Sequence, residues 1–188
     1  MTDKTADMTH GDIKPQNVLV FSDNSGAVFA KLADFGYSGW DVHESQKVLI
    51  RPPRSRPWDA PEYHHRGFSV SQAKLLDIFS FGMLCMWILF EDEIRTVSSV
   101  QTAEVQKLRA NPTVMGNYAG IFQDHNATDQ LKRGDGLLRL ARQLTESATV
   151  SVNQKESLLR FFNSTLAHEP HRRSLNLEQL AFFLGPDW

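Results

Sequence analysis

The segment from Gln72 to Glu91 is apolar on nearly every side when it is drawn as a helix. A helix with an apolar surface all round has no face to leave in water, so it must lie in the middle of a folded domain. Its longest apolar stretch, Ile78 to Phe90, has 13 residues and is interrupted by Ser80 and Gly82. A membrane span needs about 20 apolar residues. We therefore predict a buried core helix around which the rest of the chain packs.

The remaining apolar periodicity predicts a mainly helical domain. Four further helices are expected at 102–110, 136–145, 154–167 and 177–184, and Asn111-Pro112, Glu169-Pro170 and Gly185-Pro186 are stop signals. The 188 residues, of which 41% are hydrophobic, suffice for one core and indicate a single domain over 1–188. We interpret segment 91–153 as a helical spacer rather than a docking surface.

A small β-hairpin is predicted before the core helix. The runs 18–21 and 27–32 are rich in β-branched and aromatic residues, and the polar turn 22–26 separates them. The stretch from Asp34 to Glu62 is polar and contains four prolines, which favours an extended, irregular loop. Long loops in compact domains are often functional. The predicted fold class is thus mainly α with a small β-hairpin.

The segment 10–17, with the sequence HGDIKPQN, brings an acid, a base and an amide together directly before the hairpin. Phosphoryl transfer needs a carboxylate for the attacking hydroxyl, a cation for the moving phosphoryl group and oxygen ligands for Mg²⁺. Asp12, Lys14 and Asn17 have this chemistry. The same residues could instead form a polar turn that stabilises the start of a strand.

A second carboxylate motif, Asp34-Phe-Gly36, follows Asn17 by 17 residues, on the far side of the predicted hairpin. A hairpin returns the chain to its starting point, so the Asp34 carboxylate could meet the first cluster and share a metal ion with it. The pair of motifs favours a phosphotransfer site over a polar turn.

Five motifs in order resemble the eukaryotic protein kinase family of the serine/threonine type. They are the loop 10–17, Asp34-Phe-Gly36, Ala60-Pro-Glu62, the run DIFSFG at 77–82 and the run EPHRR at 169–173. One such motif alone would be a weak signal, whereas their order over residues 10–173 is specific. The resemblance implies a protein-kinase-like C-terminal lobe with its catalytic loop at 10–17, its activation segment at 34–62 and its helical subdomain at 72–184.

The resemblance implies a role for each matching polar residue. Asp12 would be the catalytic base, and Lys14 would contact the transferred phosphate. Asn17 and Asp34 would be the Mg²⁺ ligands, so that Lys14, Asn17 and Asp34 together would bind Mg²⁺ and ATP.

Four other positions are interpreted through the same resemblance. Asp77 would hold the backbone of the catalytic loop, and Arg173 would form a buried ion pair with Glu62. Ser55, together with the lysine after the catalytic aspartate, resembles the serine/threonine branch. Gly11 departs from the family's usual arginine, which normally receives an activation-loop phosphate, so we do not expect control by phosphorylation of that loop.

The sequence leaves open what these 188 residues do on their own. Family members place a Gly-rich loop, a strand lysine and a helix glutamate before the catalytic loop, and only nine residues precede His10 here. We expect an isolated lobe that binds ATP weakly, is inactive as a kinase on its own, exposes apolar surface and needs an N-terminal lobe, intramolecular or separate. One alternative is a non-catalytic binding module. Another is a small-molecule phosphotransferase of the aminoglycoside or choline type, which has a similar His-Gly-Asp but lacks the 60–62 motif and the late arginine.

Net charge and cysteine content indicate which classes of partner and which cellular compartment to expect. A net charge of −2 gives no general attraction to nucleic acid or to an anionic membrane. The single cysteine, Cys85, lies in an apolar run and is expected to be a buried thiol in a reducing compartment. The first nine residues lack the apolar core of a secretory signal. We expect an intracellular, cytoplasmic protein that binds neither nucleic acid nor membrane and acts on a protein substrate.

Overall fold

The computed structural model describes residues 8–40, 49–99, 122 and 125–185. Most of this chain is helical, and the helices are α1 (Val70–Ser99), α2 (His125–Lys132), α3 (Gly136–Ser147), α4 (Val152–Thr165) and α5 (Leu177–Phe183). The strands are β1 (Met8–Thr9), β2 (Val18–Ser22), β3 (Val28–Leu32) and β4 (Gly39–Trp40). The fold class is the predicted one, mainly α with a small β-hairpin.

Helix α1 is the buried centre of the domain, as its apolar sequence predicts. Phe79, Met83 and Met86 on successive turns are at most 1% exposed. They share one core with Phe161 and Phe162 of α4. The first 22 residues of α1 are long and apolar enough to cross a membrane, but 61% of their most apolar window is buried inside the domain. This burial agrees with the prediction of a core helix.

Helix α1 approaches α4 closely at Gly82. A Cβ atom at this position would lie 2.5 Å from Oγ1 and 2.7 Å from Cβ of Thr165. The Thr165 hydroxyl is itself satisfied, since it donates to the backbone oxygen of Phe161 at 3.0 Å. Any larger residue at position 82 would therefore push the two central helices apart.

The predicted hairpin is formed by β2 and β3, which pair antiparallel from Val18 opposite Leu32 onward. Asp23 closes the turn, because its Oδ1 accepts a hydrogen bond from the N–H of Ala27 at 3.0 Å. Six large apolar residues of the two strands are 41 to 72% exposed, namely Leu19, Val20, Phe21, Val28, Phe29 and Leu32. The hairpin thus carries the exposed apolar surface that the sequence predicts.

A second small sheet was not predicted. Strand β1 pairs antiparallel with β4, with Thr9 opposite Gly39. Strands of two residues are too short to show an alternating pattern, so sequence periodicity could not reveal them. This pairing ties the start of loop 10–17 to the first part of the long loop.

Helix boundaries differ modestly from prediction, and α2 was missed. Helix α4 begins at Val152 rather than 154 because Ser151 caps it: the Ser151 hydroxyl accepts from the N–H of Gln154, whose side chain accepts from the N–H of Ser151. Helix α2, mostly polar and short, lies inside the segment interpreted as a spacer. The predicted helix 102–110 and residues 41–48 of the long loop lie outside the described residues.

Candidate active site

The backbone of loop 10–17 is fixed by Asp77 of α1. Its Oδ2 accepts hydrogen bonds from the Thr9 hydroxyl at 2.5 Å and the His10 N–H at 2.6 Å, and its Oδ1 accepts from the Gly11 N–H at 2.9 Å. Burial raises the pKa of Asp77, and these hydrogen bonds partly oppose that shift. The predicted contact of Asp77 with the catalytic-loop backbone is confirmed.

Gly11 occupies a position that disfavours any side chain. Its φ of +82° lies in the left-handed region, and a Cβ atom would be 2.7 Å from the backbone oxygen of Tyr37. The loop therefore lies too close to the 34–40 segment for the arginine that the family usually carries here.

Asp12 lies at the centre of a buried polar cluster, with only 2% of its side chain exposed. Its Oδ1 accepts a hydrogen bond from the Ser55 hydroxyl at 2.6 Å. Its Oδ2 accepts from the Lys14 ammonium at 2.7 Å and from the Asn17 amide at 3.2 Å. The Lys14 ammonium also donates to the Ser55 oxygen at 3.2 Å. The structure thus brings together three of the four predicted site residues around one carboxylate, which holds a hydroxyl and a cation at the same time.

The orientation of the Asn17 amide follows from its partners. Its Nδ2 donates to the backbone oxygen of Asp12 at 2.8 Å. A carbonyl oxygen can only accept, so the nitrogen must face Asp12 and the amide oxygen must face away. The backbone oxygen of Asn17 accepts from the Ala33 N–H at 2.9 Å, which places Asn17 beside the residue before Asp34.

Asp34, the fourth predicted site residue, is exposed and has a left-handed backbone, with φ of 62°. Its Oδ1 makes only a long contact, 3.4 Å, to the N–H of Gly36. Within the described residues, no hydrogen bond joins the side chains of Asn17 and Asp34. The two are neighbours through the backbone, and the Asp34 carboxylate is open to a ligand.

The side chains of Asn17 and Asp34 carry the kinds of oxygen atom that Mg²⁺ binds. Mg²⁺ prefers oxygen ligands and commonly takes one or two carboxylates together with substrate phosphates. The free amide oxygen of Asn17 and the exposed carboxylate of Asp34 are ligands of this kind. In the part of the chain that the structure describes, no group of three or more His, Cys, Asp or Glu could hold a metal ion. Because Mg²⁺ commonly completes its coordination with substrate phosphates, these two oxygens suit an ion that is shared with ATP.

His10 joins the catalytic loop to the 34–36 motif, a role that the sequence did not reveal. Its Nδ1 accepts from the Asp12 N–H at 3.2 Å, so Nε2 carries the proton and donates to the backbone oxygen of Ala33 at 3.0 Å. Its ring lies 4.9 Å from that of Phe35. A change at His10 would thus reach both Asp12 and Asp34.

The predicted ion pair between Glu62 and Arg173 is confirmed. Nη1 and Nη2 of Arg173 donate to the two Glu62 oxygens at 2.6 and 2.9 Å. The remaining donors of the guanidinium reach the backbone oxygens of Ala167, Leu75 and His168 at 2.9 to 3.2 Å. All five N–H groups therefore have acceptors, and none of the Arg173 side chain is exposed.

A second buried ion pair, between Asp59 and Lys132, was not predicted. The two groups are 2.7 Å apart, and their side chains are at most 5% exposed. Burial lowers the pKa of Lys132, and Asp59 opposes that shift. Lys132 lies in α2, inside the segment interpreted as a spacer, so no motif spacing could pair it with Asp59.

The chain is similar to one sequence family over most of its length and to individual proteins over less than half of it. The sequence family described as the protein kinase domain matches residues 5–181. A probable LRR receptor-like serine/threonine-protein kinase of Arabidopsis thaliana is 34% identical over 82 residues, which are 44% of this chain and 7% of that protein. A probable serine/threonine-protein kinase of Dictyostelium discoideum is 38% identical over 88 residues, which are 46% of this chain and 5% of that protein. The matched segments are thus a small part of these relatives' length.

Proposed function

Since this chain belongs to the protein kinase family, we propose that it transfers the γ-phosphoryl group of ATP to a Ser or Thr hydroxyl of a protein, with Asp12 as the base. The observation that carries the proposal is the hydrogen bond from the Ser55 hydroxyl to Asp12 at 2.6 Å, with the Lys14 ammonium on the other carboxylate oxygen. This contact supports the role of Asp12 as a base, because the carboxylate already accepts a hydrogen bond from an aliphatic hydroxyl beside a cation.

The proton and the phosphoryl group follow separate paths. A substrate hydroxyl that reaches Asp12 donates its hydrogen bond to the carboxylate, and its oxygen attacks the γ-phosphorus. The bond between that phosphorus and the oxygen of the β-phosphate breaks, ADP leaves, and the hydroxyl proton passes to Asp12. Lys14 lies 2.7 Å from Asp12 and offers positive charge to the moving group.

The same proposal gives Asn17 and Asp34 the role of holding Mg²⁺. When bound, Mg²⁺ neutralises charge on the phosphates of ATP. The Asn17 amide is locked on Asp12, so its free oxygen has a fixed direction. The Asp34 carboxylate projects from a backbone in the left-handed region.

Three elements that bind ATP in the family do not occur among these 188 residues. A Gly-rich loop, a strand lysine and a helix glutamate precede the catalytic loop in family members. Phosphoryl transfer depends mostly on positioning and charge stabilisation, so we expect these 188 residues alone to bind ATP weakly and to react slowly.

The experiment is a phosphotransfer assay on two proteins. One is the chain alone, and the other is a chimera in which the N-terminal kinase lobe of the Arabidopsis relative precedes residue 8. Both are incubated with radiolabelled ATP, Mg²⁺ and a generic basic protein substrate, each beside its Asp12→Asn variant. We expect slow transfer from the chain and fast transfer from the chimera, and Asp12→Asn should lower the rate by about 10³-fold or more.

One outcome would overturn the proposal, namely a folded chimera that transfers no more phosphate than its Asp12→Asn variant. Any phosphate transferred in that case would not depend on Asp12. A Glu156→Gln chimera is the matched control, since Glu156 is an exposed carboxylate on α4 away from the site.

A further inference from the structure

A polar cavity of about 200 Å³ lies between the 54–63 part of the long loop and helix α2. It has about 13 to 20 times the space that one water molecule requires. The charged side chains that line it are Arg54, Asp59, Asp129, Lys132 and Arg133. None of these residues belongs to the Asp12 cluster.

The carboxylates of this cavity are already neutralised. Asp59 is paired with Lys132 at 2.7 Å. Oδ2 of Asp129 lies 3.0 Å from Nη2 of Arg56. The Nε of Arg56 is buried and, among the described residues, has no hydrogen-bond partner. The paired groups therefore leave no surplus negative charge in the cavity.

Two arginines on the rim retain unused hydrogen-bond donors. Arg54 is 43% exposed, and its Nε donates a hydrogen bond to Oδ2 of Asp59 at 3.3 Å. Its Nη2 lies 3.7 Å from Oδ2 of Asp129, which is too long for a hydrogen bond, so the terminal N–H groups of Arg54 stay available to a ligand. Its guanidinium carbon lies 6.0 Å from the centre of the Tyr63 ring. The Arg133 side chain is exposed and has no ion pair within the part of the chain that the structure describes. The rim is thus positively charged and faces solvent.

The position of the rim relates it to the proposed catalytic base. Arg54 is the residue directly before Ser55, whose hydroxyl contacts Asp12. The cavity also shares Asp59, Ala60 and Tyr63 with the crevice that Asp12 and Ser55 line. Extended residues advance by about 3.3 Å each, so a peptide whose hydroxyl reaches Asp12 can bring a side chain a few residues away to the neighbouring cavity.

We propose that this cavity selects peptides with an anionic side chain within a few residues of the acceptor hydroxyl. The inference rests on the proposed function, since it names the substrate class for the same reaction. The ligand is an anionic oxygen group, either the carboxylate of Asp or Glu or the phosphate of a phosphorylated residue. Arg54 and Arg133 present planar guanidinium groups, which bind both kinds of group through paired N–H donors.

The test measures binding without ATP, so that it does not depend on catalysis. Three fluorescein-labelled peptides each contain one serine, which is followed by glutamates in the first, by glutamines in the second and by a phosphoserine in the third. Their binding to the full chain is measured by fluorescence anisotropy. We expect the glutamate peptide to bind about tenfold tighter than the glutamine peptide. Arg133→Gln should remove most of that difference, and Arg54→Gln should reduce it. Arg142→Gln, at an exposed arginine of α3 outside the cavity, should leave it unchanged.

The outcomes separate the inference from the proposed function. Equal or absent binding of the glutamate and glutamine peptides, or an equal effect of Arg142→Gln and Arg133→Gln, overturns the inference. Tighter binding of the phosphoserine peptide than of the glutamate peptide, with the same dependence on Arg133, supports the inference and assigns the phosphate as the ligand. If the glutamate peptide binds selectively but the active chimera does not phosphorylate it, the cavity recognises anions. The proposal that this recognition selects substrates for the reaction is then overturned. Melting curves establish that Arg133→Gln is folded.

Discussion

Replacing Glu62 by glutamine removes one charge from the ion pair with Arg173 while keeping the side chain's size. The guanidinium is completely buried, so no water can replace the lost charge. The amide NH₂ also takes the place of one acceptor, which leaves one Arg173 donor without a partner. Breaking one side of a buried pair costs about 3–5 kcal/mol. Because 25% of the Glu62 side chain is exposed, we expect the lower end, about 3 kcal/mol of the free energy of unfolding.

The assay is urea unfolding followed by circular dichroism, with a common m-value for all variants. Glu156→Gln is the matched control, and we expect it to change the free energy of unfolding by less than about 0.5 kcal/mol. A double-mutant cycle with Arg173→Met isolates the energy of the pair itself. A Glu62→Gln variant as stable as Glu156→Gln, or a coupling energy near zero, would refute the expectation that this buried ion pair stabilises the fold.

Three further changes test other parts of the structure. Gly11→Ala should destabilise the fold by about 2 kcal/mol or more, because a side chain there has a positive φ and meets the Tyr37 oxygen; a loss below about 0.5 kcal/mol in urea titration would contradict this. Ser151→Ala should cost about 1 kcal/mol by removing the cap of α4, and an unchanged urea midpoint would argue against the cap. Burial raises the pKa of the Cys85 thiol to about 12. The contribution of this buried, neutral thiol to the free energy of unfolding is complete below its unfolded pKa of about 8.5 and is lost as the pH rises toward about 12. Iodoacetamide at about pH 8 should therefore label Cys85 only when the chain unfolds, and rapid labelling of the native protein, seen by mass spectrometry, would contradict its burial.

The parts of the fold that the sequence predicted are those with a local physical signal. Helix α1 was predicted correctly because a helix that is apolar on every side is stable only in the centre of a domain. The hairpin was predicted correctly because the composition of its strands differs from that of its turn. Helix α4 was found through its apolar spacing, although its start was placed two residues late. The capping pair at Ser151 and Gln154 was the signal that would have corrected it.

The parts that the sequence missed depend on contacts between distant segments. Asp59 and Lys132 are 73 residues apart, and nothing local at either position indicates the other. The β1–β4 pairing is two residues long on each side, below the length at which alternation is visible. The function of His10 follows from its contact with Ala33, 23 residues later, and not from its place in a motif. The catalytic and metal-binding roles of Asp12, Lys14, Asn17 and Asp34 stay predictions.

One helix aligns both loops of the candidate site. Asp77 holds the catalytic loop, and three residues later the Ser80 hydroxyl donates to the backbone oxygen of Trp58 in the long loop at 2.9 Å. Between them, the Phe79 ring lies 4.9 Å from the guanidinium carbon of Arg173 and 6.0 Å from the ammonium of Lys132, the two cations that anchor the long loop. The distance between Asp12 and Ser55 is therefore set by a single turn of α1. We expect changes in that turn to alter the proposed phosphotransfer before they unfold the protein, because catalysis responds to smaller displacements than folding does.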